Sequence, residues 1–117
     1  MKIEEARKLL DAEVICGGEK LEDEVRSACG SDMMSDVLAY VKDQALLLTG
    51  LVNEQVIRTA AMMDMRCIVF VRNKRPTNDM VSLAELNGMV VLATPFRMFE
   101  ACGRLYDRFR EEGEADE

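Results

Sequence analysis

Histidine and tryptophan are both absent from this chain of 117 residues, and proline occurs only twice. Without an imidazole, the usual general base at neutral pH is missing, and so is the nitrogen ligand of mixed zinc sites. The four cysteines, Cys16, Cys29, Cys67 and Cys102, include no C-x-x-C pair, which removes zinc ribbons and thioredoxin-like redox centres from consideration. Neither G-x-x-x-x-G-K-[ST] nor G-x-G-x-x-G occurs, so there is no Walker-type phosphate loop and no dinucleotide fingerprint. A nucleophilic Ser31 or Cys29 would have no evident partner to activate it. Nothing approaches the run of about 18 apolar residues that a membrane span needs. The charged opening Met1-Lys2-Ile3-Glu4-Glu5 reads as the start of a helix rather than as a signal peptide. A soluble, cytoplasmic protein without catalytic machinery or membrane contact is expected.

Basic charge is also scarce, with 15 Lys and Arg against 22 Asp and Glu and a net charge of -7. Residues 111–117 hold five of the acids and no base, so residues 1–110 carry 17 acids against 15 bases and are close to neutral. Nucleic-acid binding needs a basic stripe and stacking aromatics, and neither is evident. The acidic end, with Gly113 and Ala115 and no apolar anchor, reads as a disordered tail over 111–117 behind a single domain over 1–110. A domain of this size buries about two-thirds of its unfolded surface. Leftover apolar surface makes a homodimer the expected state.

What is present is a repeated pattern. Leu46-Leu47-Leu48-Thr49, Ile68-Val69-Phe70-Val71 and Val90-Val91-Leu92-Ala93 are short apolar runs, each starting 22 residues after the one before. They are too uniform for strands solvated on one face, and each is followed by turn chemistry and then by apolar residues at helical spacing. This predicts βα units feeding a parallel sheet. Ahead of them the sequence predicts a helix over 2–11 with Ile3, Ala6, Leu9 and Leu10 on one face. A strand at Val14-Ile15-Cys16 stopped by Gly17-Gly18 follows, then a second strand around Val25–Cys29. Ser31 reads as the N-cap of a helix with Asp32 in its first turn and Met34, Val37, Leu38 and Val41 as its stripe. Asn53 and Thr77 read as caps of the next two helices, with Asn87-Gly88 as a left-handed C-terminal cap. Thr94-Pro95 reads as a cap followed by proline at the first helical position, opening a helix that aligns Phe96, Phe99, Cys102, Leu105, Tyr106 and Phe109. The expected fold is α/β, with a mainly parallel sheet of about five strands flanked by helices.

In such sheets ligands sit beyond the carboxyl ends of the strands. Four loops are then expected on one rim: Gly30-Ser31-Asp32, Thr49-Gly50, Arg72-Asn73-Lys74-Arg75 and Thr94-Pro95. Helix N-termini with free N–H groups, helped by Arg72, Lys74 or Arg75, would suit an anion. The same residues would serve a protein with no ligand, since every βα unit needs caps and turns. Asp32 and Asp36, four apart, would share a helix face and offer a carboxylate pair to a divalent metal, although exposed first-turn acids are ordinary. The cysteines have apolar neighbours and read as buried thiols; a shared iron–sulfur cluster would need all four to converge. Nine methionines suit either irregular core packing or an adaptable surface.

The segment Gly30-Ser31-Asp32-Met33-Met34-Ser35-Asp36-Val37-Leu38, together with Leu47-Leu48-Thr49-Gly50-Leu51, Ile68-Val69-Phe70-Val71-Arg72, Pro76 and Thr94-Pro95-Phe96, resembles the DRTGG-domain family. That fold is similar to the amino-terminal domain of HPr kinase/phosphorylase. The resemblance implies a small α/β domain, often dimeric, standing alone in anaerobes or fused to regulatory domains. Some relatives are encoded beside iron-only hydrogenase genes. It does not carry over kinase activity, because the catalytic half with its phosphate loop is missing. Where many relatives have a glycine pair this chain has Arg72-Asn73, and where they have threonine near the last helix start it has Met98.

Together these readings lead to a non-catalytic regulatory or ligand-binding module without a cofactor. It would take an anionic small molecule at Gly30, Ser31, Asp32, Thr49, Gly50, Arg72, Lys74 and Thr94. The alternative is an interaction or assembly protein for an anaerobic redox complex, with that complex as its protein partner.

Overall fold

The computed structural model describes residues 1–40 and 45–112, apart from the side chain of Tyr40. The predicted Val41 and most of the acidic tail, 113–117, lie outside the described residues. Five strands, β1 (Glu13–Cys16), β2 (Ser27–Gly30), β3 (Ala45–Thr49), β4 (Cys67–Phe70) and β5 (Val90–Ala93), form one sheet in the order β1-β5-β4-β3-β2. Strands β2 to β5 are parallel, and β1 joins β5 antiparallel with a bulge between Val14 and Cys16. Every residue of β3, β4 and β5 is buried. Their uniform apolarity therefore has the cause inferred for it, since helices cover both faces.

The register differs from the sequence repeat by one residue in the middle strand. Leu46 faces Cys67, and Cys67 faces Val90. Alternation along the strands then divides the core. Leu46, Leu48, Val69 and Leu92 pack with Ile3, Ala6, Leu10, Leu105 and Phe109, so α1 (Ile3–Leu9) and α5 (Met98–Glu112) cover one face. Leu47, Ile68, Phe70 and Val91 pack with Val37, Ile57 and Met80, so α2 (Met34–Tyr40), α3 (Glu54–Met62) and α4 (Asn78–Leu86) cover the other. The three crossover helices share a face because β2 to β5 follow one another without reversal. The methionines divide between both readings offered for them: Met34, Met65, Met80 and Met89 are buried, whereas Met33 and Met62 are exposed.

Three helices end alike. In α4, Gly88 takes a left-handed conformation while its N–H and that of Met89 bond to the carbonyls of Glu85 and Ala84. Asp11 after α1 and Asp64 after α3 stand in the same position, with φ of 48° and 54°. An aspartate is strained there and puts negative charge at the negative end of a helix. Asp11→Gly and Asp64→Gly are each expected to raise stability by about 1 kcal/mol, read as a higher urea midpoint at unchanged slope.

Several expectations need correction. Strand β2 starts at Ser27; Val25 is buried ahead of it, donating its N–H to the Met1 carbonyl. Helix α5 begins at Met98, because the chain must first travel from β5 across the rim to the β2 side of the sheet. Pro95 is thus not at a first helical position, and Phe96 precedes the helix. The predicted stripe of α5 also divides: Leu105 and Phe109 are buried, with Ala101 beside them, while Phe99 and Tyr106 are 91% and 55% exposed. Helix α5 continues through Glu111 and Glu112, two residues into the segment read as tail. An ion pair of Glu112 with Arg108 at 3.0 Å helps to hold that last turn.

Candidate functional site

Parallel pairing of β2 to β5 does place the four predicted loops at one rim. At its centre, Thr49 ends β3 with a buried side chain, and the hydroxyl is used twice. It donates to Asp32 Oδ1 at 3.1 Å and accepts the Leu51 N–H at 3.1 Å. The Gly50 N–H donates to the same Asp32 oxygen at 2.7 Å. A carboxylate held by two such donors is a strong, oriented acceptor. The Thr49 carbonyl accepts the Val71 N–H at 3.0 Å, which ties the β3–α3 loop to the loop after β4.

Asp32 therefore lies outside α2, reaching across to the neighbouring loop, and it does not share a helix face with Asp36. Among the described residues, no three His, Cys, Asp or Glu side chains are grouped as a metal site would require, so the four thiols do not converge. Burial pushes all four thiols above the ordinary cysteine range, most strongly Cys67. Ser31 is not the N-cap of α2 either: its hydroxyl accepts the Met33 N–H at 2.9 Å, closing a turn of its own. The N–H groups proposed for an anion are thus partly engaged already. Gly50 serves Asp32, and those of Val56 and Met80 go to the caps Asn53 and Thr77.

Positive charge enters from the β4–α4 loop. Arg72 Nη2 and Asp32 Oδ1 lie 3.0 and 3.6 Å from the point where a Cβ on Gly50 would stand. Glycine at 50 thus leaves the space in which a guanidinium and a carboxylate converge, and no ion pair joins them. Arg72 and Asn73 both adopt left-handed backbone, φ 56° and 55°, at the two positions where the family resemblance expects glycines. Non-glycine residues are tolerated there because the loop is pinned on both sides. The Arg72 N–H donates to the Phe96 carbonyl and the Asn73 N–H to the Thr94 carbonyl, each at 2.8 Å.

The remaining predicted residues go elsewhere. Gly30 faces α5, where a Cβ would come within 2.6 Å of Cys102 Sγ. Arg75 is drawn toward β1 by a two-pronged ion pair with Glu13, which holds the Glu13 carboxyl below its usual range. Lys74 is exposed on the rim. Thr94 is buried and donates to the Leu10 carbonyl at 2.6 Å, so it latches α1 rather than capping α5. Phe96 was missed as part of the site. Its carbonyl anchors Arg72 and its ring carries the Arg104 guanidinium 4.2 Å from its centroid, but only tertiary packing brings these groups together. A cleft of about 430 Å³ opens at the opposite rim, lined by Asp64, Met65, Arg66, Asn87 and Gly88 among others. None of the predicted site residues lines it.

Set against known proteins, residues 5–107 match the DRTGG domain family. No curated protein matches the sequence. Among solved structures, the fold is similar to the CBS and DRTGG domains of the regulatory region of a Clostridium perfringens pyrophosphatase, crystallised with its activator diadenosine tetraphosphate. The TM-score is 0.71 at 14% identity, over 89% of this chain and 45% of that one. This chain therefore spans under half of that regulatory region. No described helix is long and apolar enough to cross a membrane.

Proposed function

This chain belongs to the DRTGG domain family, and on that premise we propose that it is a non-catalytic regulatory module that binds an anionic small molecule of nucleotide type. The carrying observation is the convergence of Arg72 and Asp32 over the bare backbone of Gly50, at the carboxyl ends of parallel strands. Asp32 spends one oxygen on Thr49 and Gly50, and its other oxygen has no hydrogen-bond partner among the described residues. A simple anion would be repelled by that carboxylate. A ligand with both phosphate and hydroxyl or amino groups satisfies both sides: Arg72 and Lys74 take the phosphate, and Asp32 accepts from the donor. The diadenosine tetraphosphate bound by the similar pyrophosphatase region supports this ligand class. Regulation would follow from mass action, since the ligand ties the β2–α2, β3–α3 and β4–α4 loops together. Chemistry on the ligand is not part of the reading, because neither a histidine nor a phosphate loop accompanies the site.

The test is a thermal-shift and calorimetric titration with diadenosine tetraphosphate, ATP and AMP, and with sulfate as a simple anion. A ligand at a hundred times its dissociation constant stabilises by about 2.7 kcal/mol. Arg72→Ala is expected to remove most of that shift while leaving the free protein's stability nearly unchanged, as the side chain is exposed. Absence of any nucleotide-induced shift in the wild type would end this reading, and the assembly-protein alternative would replace it.

A further inference from the structure

The cleft of about 430 Å³ lies at the rim opposite Arg72 and Asp32 and has no role in the function proposed above. It opens where α3 and α4 end and β4 and β5 begin, lined by Ala61, Asp64, Met65 and Arg66 from the first connection and by Asn87, Gly88 and Met89 from the second. Both helices bring the negative ends of their dipoles to this rim. Its backbone donors are spent. The N–H groups of Asp64 and Met65 bond to the carbonyls of Ala61 and Ala60, and those of Asn87, Gly88 and Met89 bond to carbonyls of Leu83, Glu85 and Ala84. Asn87 also gives its side-chain Nδ2 to the Leu83 carbonyl at 2.9 Å, which leaves Oδ1 as an acceptor.

The acceptors are not spent. The carbonyls of Met62 and Leu86, the last residues of α3 and α4, take no backbone hydrogen bond among the described residues. The Asp64 carboxylate likewise has no hydrogen bond or ion pair among them. Arg66, the cation in the lining, is drawn instead to Asp23, Nη1 to Oδ2 at 3.7 Å. Asp64 therefore combines a left-handed backbone, φ 54°, with an uncompensated negative charge at the negative end of a helix. Asp11 stands in the same position after α1, but there the charge of Arg7 is close enough to be felt. The chain itself shows what such a helix end accepts. Lys20 donates its ammonium to the Gly88 carbonyl at 2.8 Å, and no carboxylate pairs with it among the described residues.

We propose that this cleft is a second ligand site, taking an aliphatic amine of the short diamine class whose ammonium groups donate to Asp64 and to the open carbonyls that end α3 and α4. An anion would meet two negative helix ends and a carboxylate. A metal ion fits less well, because no three acidic, histidine or cysteine side chains are grouped among the described residues and the space far exceeds one ion. The apolar part of the lining, at Ala61, Met65 and Met89, suits the methylene body of such a ligand. The net charge of -7 favours its approach. The nucleotide reading plays no part in this inference, and either stands without the other.

The test is an amide NMR titration of the full chain with putrescine, beside butanediol and calcium chloride, at constant ionic strength. Putrescine is expected to give saturable shifts confined to residues 61–66 and 86–89, and butanediol and calcium none that saturate there. Asp64→Asn keeps the shape and tolerates left-handed backbone, and it is expected to weaken binding about tenfold or more. Asp64→Gly, expected to be the more stable protein, should lose binding as well, which separates binding from folding. Lys20→Met removes the ammonium already held at the end of α4 and should tighten binding severalfold. Asp11→Asn should leave it unchanged. A wild type without saturable shifts overturns the proposal, as do shifts spread over the acidic surface. So do equal binding by Asp64→Asn, weaker binding by Lys20→Met, and a calcium response at the same residues tighter than that of putrescine.

Discussion

Gly17→Ala is expected to lower the unfolding free energy by about 3 kcal/mol or more, whereas Gly18→Ala should be close to neutral. Gly17 sits at the end of β1 with φ of 81°, a conformation that costs an L-residue about 1–2 kcal/mol. A Cβ there would also stand 2.6 Å from the Met89 carbonyl oxygen and 2.7 Å from Val90 Cα. Both are backbone atoms at the start of β5, held by the sheet, so neither can move aside as a flexible side chain would. Overpacking of this kind costs a further 1–3 kcal/mol or so. At Gly18 the nearest atom is Val14 Cγ1 at 3.6 Å, an ordinary contact, and φ is not left-handed. Urea unfolding of the two variants measures the difference directly. Equal costs at the two positions would show that the turn does not back onto β5 as described.

Thr94→Val is expected to cost about 2–4 kcal/mol despite its near-identical shape. Its hydroxyl donates to the Leu10 carbonyl at 2.6 Å and accepts the Phe96 N–H at 3.2 Å, with the whole side chain out of solvent. Valine fills the same space and leaves both backbone groups unpaired, each at about 1–3 kcal/mol when buried. An exposed cap is different: Thr77 bonds one N–H at a solvent-accessible helix start, and its replacement by alanine should cost about 1 kcal/mol. Chemical denaturation of Thr94→Val beside Thr77→Ala separates the two cases. Similar losses would mean that Thr94 acts as a simple cap after all.

The contrast between these two threonines shows where sequence reading succeeds and where it stops. Thr77 and Asn53 were legible because a cap acts within three residues of itself. Thr94 has the same local signature, but its partner is 84 residues away in α1. Asp32 looked like a first-turn helix acid for the same reason, and its partners are 17 and 18 residues on, in the β3–α3 loop. The pair Gly17-Gly18 could be read as the end of a strand, yet nothing in two adjacent glycines says which one touches β5. Phe99 and Leu105 share one apolar pattern along α5, and only the position of the sheet edge leaves the first exposed and the second buried.

The sequence by itself determined the architecture of this protein, its mainly parallel five-stranded sheet, its family resemblance and the rim on which its strand-end loops meet. Those properties rest on apolar periodicity and turn chemistry, which act over a few residues and are written into local order. Only the tertiary structure decided which rim residues converge, that Asp32 already occupies part of the N–H cradle, that Thr94 latches α1, and that β2 stands last in the strand order. Each of these depends on hydrogen bonds or packing between segments far apart in the chain. Their directions are set by strand order and by the path of α5 across the sheet, which no short window of sequence contains.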